Sequence, residues 1–291
     1  MITNSIKKHL TGFSWIICYL SFSVALLSCS DEDYLGGHST TDGVGALMGV
    51  TGQVDPSASL TIAVGGGIGI TTTYANHDQT ARNRKYVLQS DGQSYLPGNN
   101  LPIYVKGNTS VMAYYPFTGD ENAEPTLTLS TKNQASPVDM LVAKTEGVTI
   151  DNASSVKLNF KSALATLKVS ITASGETITD YVLSGFAQEG AIDPYTFAVT
   201  PSLMQDVQGS GSALTSLSFH IVPQTVADGK AMLTLKGSVR TYALSLGAVT
   251  LGFGETRQLN VNIADGEATY EFVPGGSQWN DSGLGGDVSS N

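Results

Sequence analysis

Short stretches in which every second residue is apolar recur along this chain. They include "LTIAV" (60–64), "YTFAV" (195–199), "LSFHI" (217–221) and "LNVNI" (259–263). A period of two places one face of a strand on a core and the other toward water or a partner. Turn signals such as "SDGQ", "LPGNN" and "ADGK" separate these runs. The pattern predicts an all-β protein, a sandwich or barrel rather than strands alternating with helices.

A polar stretch in the middle of the chain predicts a domain boundary. It reads "DNAS" at 151–154, and runs typical of strands lie on both sides of it. We expect two tandem β-sandwich domains, at 48–153 and 154–291, each of ordinary domain size. The one stretch with a helical flavour, "KSALATL" (161–167), predicts no more than a single turn.

The N-terminus carries a different pattern. Lys7 and Lys8 precede an apolar run from Phe13 to Ser28, which is short for a membrane span of about 20 residues. A basic start followed by such a run is typical of a signal peptide, here residues 1–28. The run ends in "LLSC", which resembles a bacterial lipobox and predicts acylation of Cys29. An ordinary signal peptide that ends near a cysteine is the alternative.

Acidic residues follow that cysteine directly. The sequence "CSDED" contains Ser30, Asp31, Glu32 and Asp33, and a glycine-rich polar stretch extends to residue 47. Residues 29–47 therefore read as a flexible tether. The acids resemble the export signal that directs certain Gram-negative lipoproteins to the outer face of the outer membrane. A merely solvated acidic tether is the alternative.

Charge and composition argue against several classes of function. The formal net charge is −10, and removal of residues 1–28 leaves 13 basic and 25 acidic residues, a net charge of −12. Such a chain is repelled by nucleic acid, so we expect no nucleic-acid partner. His38, His77 and His220 are far apart in sequence and lack the spacing of a zinc site. We expect no catalytic residues, no metal and no cofactor.

Three stretches carry a resemblance to a known family. They are "VMAYYPFTGD" (111–120), "DMLVAKTEGVTI" with "VKLNFKSALATLKVSI" (139–171), and the tail "YEFVPGGSQWNDSGLGG" (270–286). Together with the lipobox they resemble the fimbrillins, the type V pilins and accessory subunits of Gram-negative bacteria. The resemblance implies transthyretin-like sandwiches and a structural subunit of a surface fimbria that serves adhesion or biofilm formation.

The resemblance also implies assembly by donor-strand exchange between subunits. A protease removes the lipid-bearing N-terminal segment, and a strand from a neighbouring subunit fills the groove. The C-terminal stretch 257–273 supplies two candidate donor strands, although both also read as ordinary edge strands. Their apolar positions are Leu259, Val261, Ile263, Tyr270 and Phe272.

One feature departs from the family pattern. No lysine or arginine lies between Cys29 and Arg82, so a protease specific for basic residues first meets Arg82 or Arg84. Cleavage there removes the "LTIAV" strand as well. Otherwise the processing uses another specificity or does not occur, which leaves stalk, tip and anchor positions open.

Two further functions remain possible from the sequence. In one, the protein is a surface lipoprotein that does not polymerise and binds a glycan or a host protein, with Tyr114, Tyr115 and Trp279 as candidates for stacking on sugar rings. In the other, it is an enzyme whose acid pair the sequence does not reveal.

Overall fold

The computed structural model describes residues 45–74 and 79–273. Strands make up 58% of the structure and helix 1%. The predicted all-β class is therefore confirmed.

The first part of the chain forms a sheet that closes on itself. The strands of this part of the chain are β1 (Ala46–Leu47), β2 (Val50–Val54), β3 (Gly67–Tyr74), β4 (Gln79–Leu88), β5 (Ser94–Pro97), β6 (Tyr104–Val105), β7 (Thr109–Tyr115), β8 (Leu127–Ser130), β9 (Leu141–Val148) and β10 (Val156–Ser162). A 3-10 turn, Ala153–Ser155, precedes β10. Seven strands follow the order β10-β2-β5-β4-β3-β7-β9, and β10 closes the sheet because it pairs in parallel with β2 and antiparallel with β9.

The closed sheet has two ends with different partners. At one end, which we call the ribbon end, β1 pairs with β6, and β2, β7 and β10 begin. The opposite end is crossed by an extended segment, Ala58–Val64, which we call the strap. At this strap end β10 leads into the second half of the chain.

The strap corrects one expectation from the sequence. Leu60 and Ile62 face the core of the closed sheet, as the alternation predicts, but the segment is not a strand. Its flanks are fixed by hydrogen bonds from Asp55 N–H to Phe160 C=O (2.8 Å) and from Gly65 N–H to Leu88 C=O (2.9 Å). Because the strap runs across the strand ends, no neighbouring strand lies alongside to pair with its backbone.

The second part of the chain forms a sandwich. Its strands are β11 (Ala165–Ala173), β12 (Ile178–Ser184), β13 (Ala187–Ile192), β14 (Val199–Met204), β15 (Val207–Ser210), β16 (Ser216–Ile221), β17 (Gln224–Val226), β18 (Ala231–Gly237), β19 (Thr241–Leu246), β20 (Val249–Leu251), β21 (Thr256–Ala264) and β22 (Glu267–Val273). The sheets β16-β11-β21-β22 and β15-β12-β18-β19 enclose one apolar core. Smaller sheets, β14-β13-β8 and β17-β20, lie beside it.

The two parts share strands and a third apolar cluster. β8 comes from the first part but pairs with β13 of the second, and Met112, Tyr114, Phe197 and Val222 are buried in one shared cluster. A division between residues 153 and 154 stays a prediction. Since β10 pairs within the closed sheet, the strand pairing favours a later boundary, at the bend Ala163–Leu164 that replaces the predicted single turn.

A turn also interrupts the predicted strand "YTFAV". The Asp193 carboxylate accepts hydrogen bonds from the N–H groups of Tyr195 (2.8 Å) and Thr196 (2.9 Å), and Phe197 adopts a φ of +60°. An Asp-Pro pair at 193–194 is a strong turn signal. The strand β14 therefore begins only at Val199.

One carboxylate ties the β18–β19 turn and the start of β19 to the turn that precedes β12. Glu176 accepts hydrogen bonds from the Tyr242 hydroxyl and from the N–H groups of Val239 and Arg240 (both 3.4 Å). The Tyr242 hydrogen bond, helped by the two backbone donors, holds the pKa of Glu176 below its ordinary value of 4.5. A depressed pKa in the folded state contributes stability above the unfolded pKa, which is lost as pH falls through the folded pKa.

We predict that Glu176→Gln lowers the midpoint of urea unfolding at neutral pH and weakens its acid dependence. The glutamine keeps an acceptor but loses the charge, so the decrease in midpoint between about pH 7 and pH 3 should be smaller than in the wild type. Glu271→Gln, on an exposed position of β22, is the control. Equal acid dependence in wild type and Glu176→Gln would contradict this interpretation.

Candidate functional site

The predicted donor strands form the hairpin β21–β22 at one side of the sandwich. β21 is an inner strand, paired in parallel with β11 and antiparallel with β22. Leu259, Val261 and Ile263 on it are buried to within 2% exposure in the sandwich core. β22 is an edge strand, and Tyr270 and Phe272 are only partly buried against that core.

The side chains of β22 make few contacts that resist its release. Tyr270 donates a hydrogen bond to Ser245 C=O (2.9 Å) and accepts one from Gly247 N–H (2.7 Å). The hairpin turn at Asp265 and Gly266 has positive φ angles at both residues, +53° and +80°. That geometry suits a tight hairpin. Release of β22 would break one ladder, the two hydrogen bonds of Tyr270 and some partly buried packing, whereas removal of β21 would open the core.

β2 is the strand through which the first sheet closes, yet it contributes little to the core. It pairs with β10 over five residues and with β5 over two. Only Val50 among its five residues is fully buried. At Gly52 an added Cβ would lie 3.0 Å from the Tyr95 ring and 3.1 Å from the Phe160 ring. The neighbours' large rings thus fill the space beneath β2, and its loss would leave β5 and β10 as open edges.

The two arginines proposed for processing lie inside the closed sheet. Arg82 is exposed and Arg84 half-buried, and both belong to β4, which pairs with β3 and with β5. A protease binds its substrate as an extended, unpaired segment. Cleavage at either arginine therefore requires β4 to leave the sheet first.

A buried polar cluster fixes β4 between these arginines. Asn83 is fully buried with a φ of +43° and donates through Nδ2 to Thr118 C=O (3.0 Å) and Asp120 C=O (2.9 Å). Tyr114 donates its hydroxyl to Asn83 Oδ1 (2.6 Å). Burial raises the pKa of Tyr114 to about 12, so the phenol remains a donor at neutral pH.

An accessible connection joins β2 to β3. Residues 55–66, which include the strap, contain no lysine or arginine. Pro56, Ser57, Thr61 and Ala63 are exposed, and Val64 is 61% exposed. The connection between β2 and the rest of the fold is therefore exposed to solvent at several positions.

Sequence reasoning missed an open apolar groove of about 780 Å³ in the second part of the chain. It lies beside the edge strand β14 and the β17–β20 pair, and Val199, Met204, Val226, Leu251 and Phe253 line it. Met204 is 65% exposed. The groove brings together Gly185 and three short segments that are separate in sequence, so no local pattern could have revealed it.

The other candidates fall into two groups. Tyr114 is buried and Tyr115 packs against the core of the closed sheet, so neither offers a free ring face for a sugar. Cys29, the stretch Ser30–Asp33 and Trp279 lie outside the described residues.

Within the described ranges, no three His, Cys, Asp or Glu side chains gather in a metal-binding arrangement. Those ranges also contain no helix long and apolar enough to cross a bilayer.

A family model described as fimbrillin-like matches residues 58–273, from the first residue of the strap to the last residue of β22. Among solved structures, a candidate cell adhesion protein from Bacteroides uniformis ATCC 8492 is 17% identical, aligned over 81% of this chain and 98% of its own, with a TM-score of 0.52. A candidate cell adhesion protein from Bacteroides ovatus ATCC 8483 is 20% identical over 79% and 96%, with a TM-score of 0.49. The tip fimbrial protein Mfa3 of Porphyromonas gingivalis, with a C-terminal truncation, is 8% identical over 78% and 98%, with a TM-score of 0.49.

A stretch of 101 residues is also 34% identical to the kinesin-like protein KIN-14F of Oryza sativa subsp. japonica. The match covers 34% of this chain and 10% of that protein. Because the chain spans a tenth of that relative, the match assigns neither a family nor an activity.

We predict that Asn83→Ala destabilises the protein by about 2–4 kcal/mol, because buried backbone acceptors lose their donor and alanine is strained at positive φ. Local release of β4 should then accelerate cleavage after Arg82 and Arg84 by an arginine-specific protease. Mass spectrometry of the fragments over time measures the cleavage rate. Asn262→Ala, on an exposed position of β21, is the control, and digestion in urea tests for altered protease preference. Cleavage of folded wild type and Asn83→Ala at the same rate would show that Asn83 does not protect β4.

Proposed function

Since this chain belongs to the fimbrillin-like family, whose members are structural proteins and not enzymes, we propose that it is a subunit of a cell-surface fimbria assembled by donor-strand exchange. The subunit is exported as a lipoprotein through Cys29 and directed outward by Ser30–Asp33. Its partners are other fimbrillin subunits, the outer membrane and an adhesion ligand on a host or bacterial surface.

The observation that carries the proposal is that β2 closes the sheet although only one of its five residues is buried. Removal of β1 and β2 would expose the backbone edges of β5 and β10, and the rings of Tyr95 and Phe160 beneath them. An added strand would pair with the exposed N–H and C=O groups of these edges and cover the apolar surface beside them. The closed sheet is the acceptor in this proposal.

β22 is the donor that the contacts favour. It lies at the end of the described chain, pairs on one side only, and presents Tyr270 and Phe272 at alternate positions. The three apolar residues of β21, Leu259, Val261 and Ile263, fit the donor role less well because they hold the sandwich core together.

Processing within the connection 55–66 is the simplest route to an open acceptor. It separates β2 from β3 without disturbing β4, whereas cleavage at Arg82 or Arg84 also removes the strap and half of an inner strand. A subunit that is not processed retains its lipid and a closed acceptor, which suits an anchor.

We predict that Tyr270→Asp and Phe272→Asp abolish fibre formation, because a carboxylate at an inward position of the donor strand would be buried without a partner. Thr269→Asp, on the exposed face of the same strand, should leave fibres intact. Electron microscopy of cells and of the purified fibre fraction gives the result, and thermal unfolding of each monomer verifies that the variant is folded.

The N-terminal peptide of the protein in the fibre fraction tests the processing step. Mass spectrometry should find a start within residues 56–66 for a processed subunit or acylated Cys29 for an anchor. Fibres of normal length from folded Phe272→Asp would rule out β22 as the donor. A start at Asn83 or Lys85 would instead place the processing site after Arg82 or Arg84.

The groove beside β14 favours a second candidate function, a surface lipoprotein that binds a protein ligand without polymerising. β14 is an exposed edge strand, and the groove next to it is mainly apolar, which suits an extended partner segment. In that case Met204→Asp abolishes ligand binding by the monomer, and the β22 variants have no effect on it.

A further inference from the structure

Large apolar side chains gather at the ribbon end of the closed sheet. Of the eleven exposed ones in the described residues, four lie there: Leu47 (55% exposed), Leu101 (41%), Tyr104 (49%) and Ile150 (49%). We call these four residues the ribbon face. Single exposed apolar residues are ordinary, but a group at one end of a fold marks a contact surface.

Backbone pairing explains why the four residues are neighbours. Leu47 and Tyr104 are directly opposite each other in the β1–β6 pair, and their neighbours Ala46 and Val105 face the core. The alternation of a strand therefore forces Leu47 and Tyr104 outward.

The segments that contain the other two residues flank β1. Met48 N–H donates to Ile103 C=O and Gly49 N–H donates to Ala153 C=O, each at 2.9 Å. Leu101 lies two residues before the first acceptor, and Ile150 three residues before the second. Both side chains are thus held at the ribbon end by the same short stretch of backbone.

The chain that precedes the ribbon indicates what covers this face. Gly45 is the first described residue, and Cys29 lies 16 residues earlier. Sixteen residues span at most about 55 Å when fully extended, so a lipid on Cys29 would keep β1 within that distance of the bilayer. The ribbon face adjoins β1, the first described strand, and β10 leads toward the sandwich from the opposite end of the closed sheet.

We propose that the ribbon face docks on the lipid bilayer to which Cys29 is attached. This inference rests on the lipidation in the proposed function. Leucine and isoleucine side chains enter the acyl boundary, and the Tyr104 hydroxyl remains at the headgroup level, where tyrosine is favoured. Lys106, whose side chain lies beside Gly45, faces the phosphates of the headgroups. Lipid and face together hold the closed sheet upright, with the sandwich directed away from the membrane.

Single-cysteine labelling tests this orientation. The mature chain has no cysteine other than Cys29, which acylation blocks, so Leu47→Cys and Ile150→Cys each accept one fluorophore. Val239→Cys is the control, since Val239 is 72% exposed at the β18–β19 turn of the sandwich. The acylated mature protein is placed in vesicles of phosphatidylethanolamine and phosphatidylglycerol, and each label is measured with a nitroxide quencher carried by the lipid. Labels at 47 and 150 should shift to the blue and lose fluorescence, whereas the label at 239 should not.

A second variant separates docking from mere tethering. Tyr104→Ser should reduce the quenching of a label at 150, and Met232→Ser, which removes a partly exposed apolar residue from the sandwich, should not. Docking is wrong if the labels at 47 and 239 are quenched equally in acylated protein. Docking is also wrong if the blue shift of the labels at 47 and 150 appears only at high protein-to-lipid ratios, because a second protein molecule then covers the ribbon face. Absence of the acyl mass on Cys29 would overturn the lipoprotein part of the proposed function together with the docking.

Discussion

The parallel pairing of β10 with β2 is the interaction on which the first half of the molecule depends. It joins Val156–Phe160 to Val50–Val54, segments separated by about a hundred residues of chain, and it turns an open sheet into a closed one. A closed sheet has no edge that invites another strand. Yet the strand that provides closure is short and mostly half-buried, so a strand with little core packing covers the backbone edges of β5 and β10.

The asymmetry between β2 and its neighbours explains how the fold tolerates such an arrangement. Tyr95 of β5 and Phe160 of β10 extend beneath Gly52 and fill the core there. Most of the apolar packing near β2 therefore comes from β5 and β10, which would remain in the sheet if β2 left. The sandwich shows the same division in another form. β21 carries the buried side chains, and β22 covers their flank while pairing on one side only. In both halves the strand proposed for exchange contributes few buried side chains to the core.

The sequence predicts burial better than it predicts pairing. Alternation correctly marks Phe219 on β16 and Val261 on β21 as core residues, and it also marks Leu60 in the strap, which has no strand beside it. The reason is that periodicity records which side chains face a core, whereas pairing depends on partners far away in the chain. For the same reason the pattern could not distinguish β21 as an inner strand from β22 as an edge. Arg82 and Arg84 are predicted as cleavage sites because nothing local reveals that Asn83 between them binds the turn at 118–120 and fixes β4.

Under the proposed assembly, one segment of chain controls two properties at once. The stretch from Cys29 to Val54 carries the predicted lipid, the ribbon strand β1 and the closing strand β2. A cut in the connection 55–66 leaves β1 and β2 paired in the fold and attached to the predicted lipid. When an incoming strand displaces them, the subunit separates from its lipid-bearing segment and its acceptor is filled in the same exchange. An uncut subunit keeps its lipid and a closed acceptor, which suits the base of a fibre.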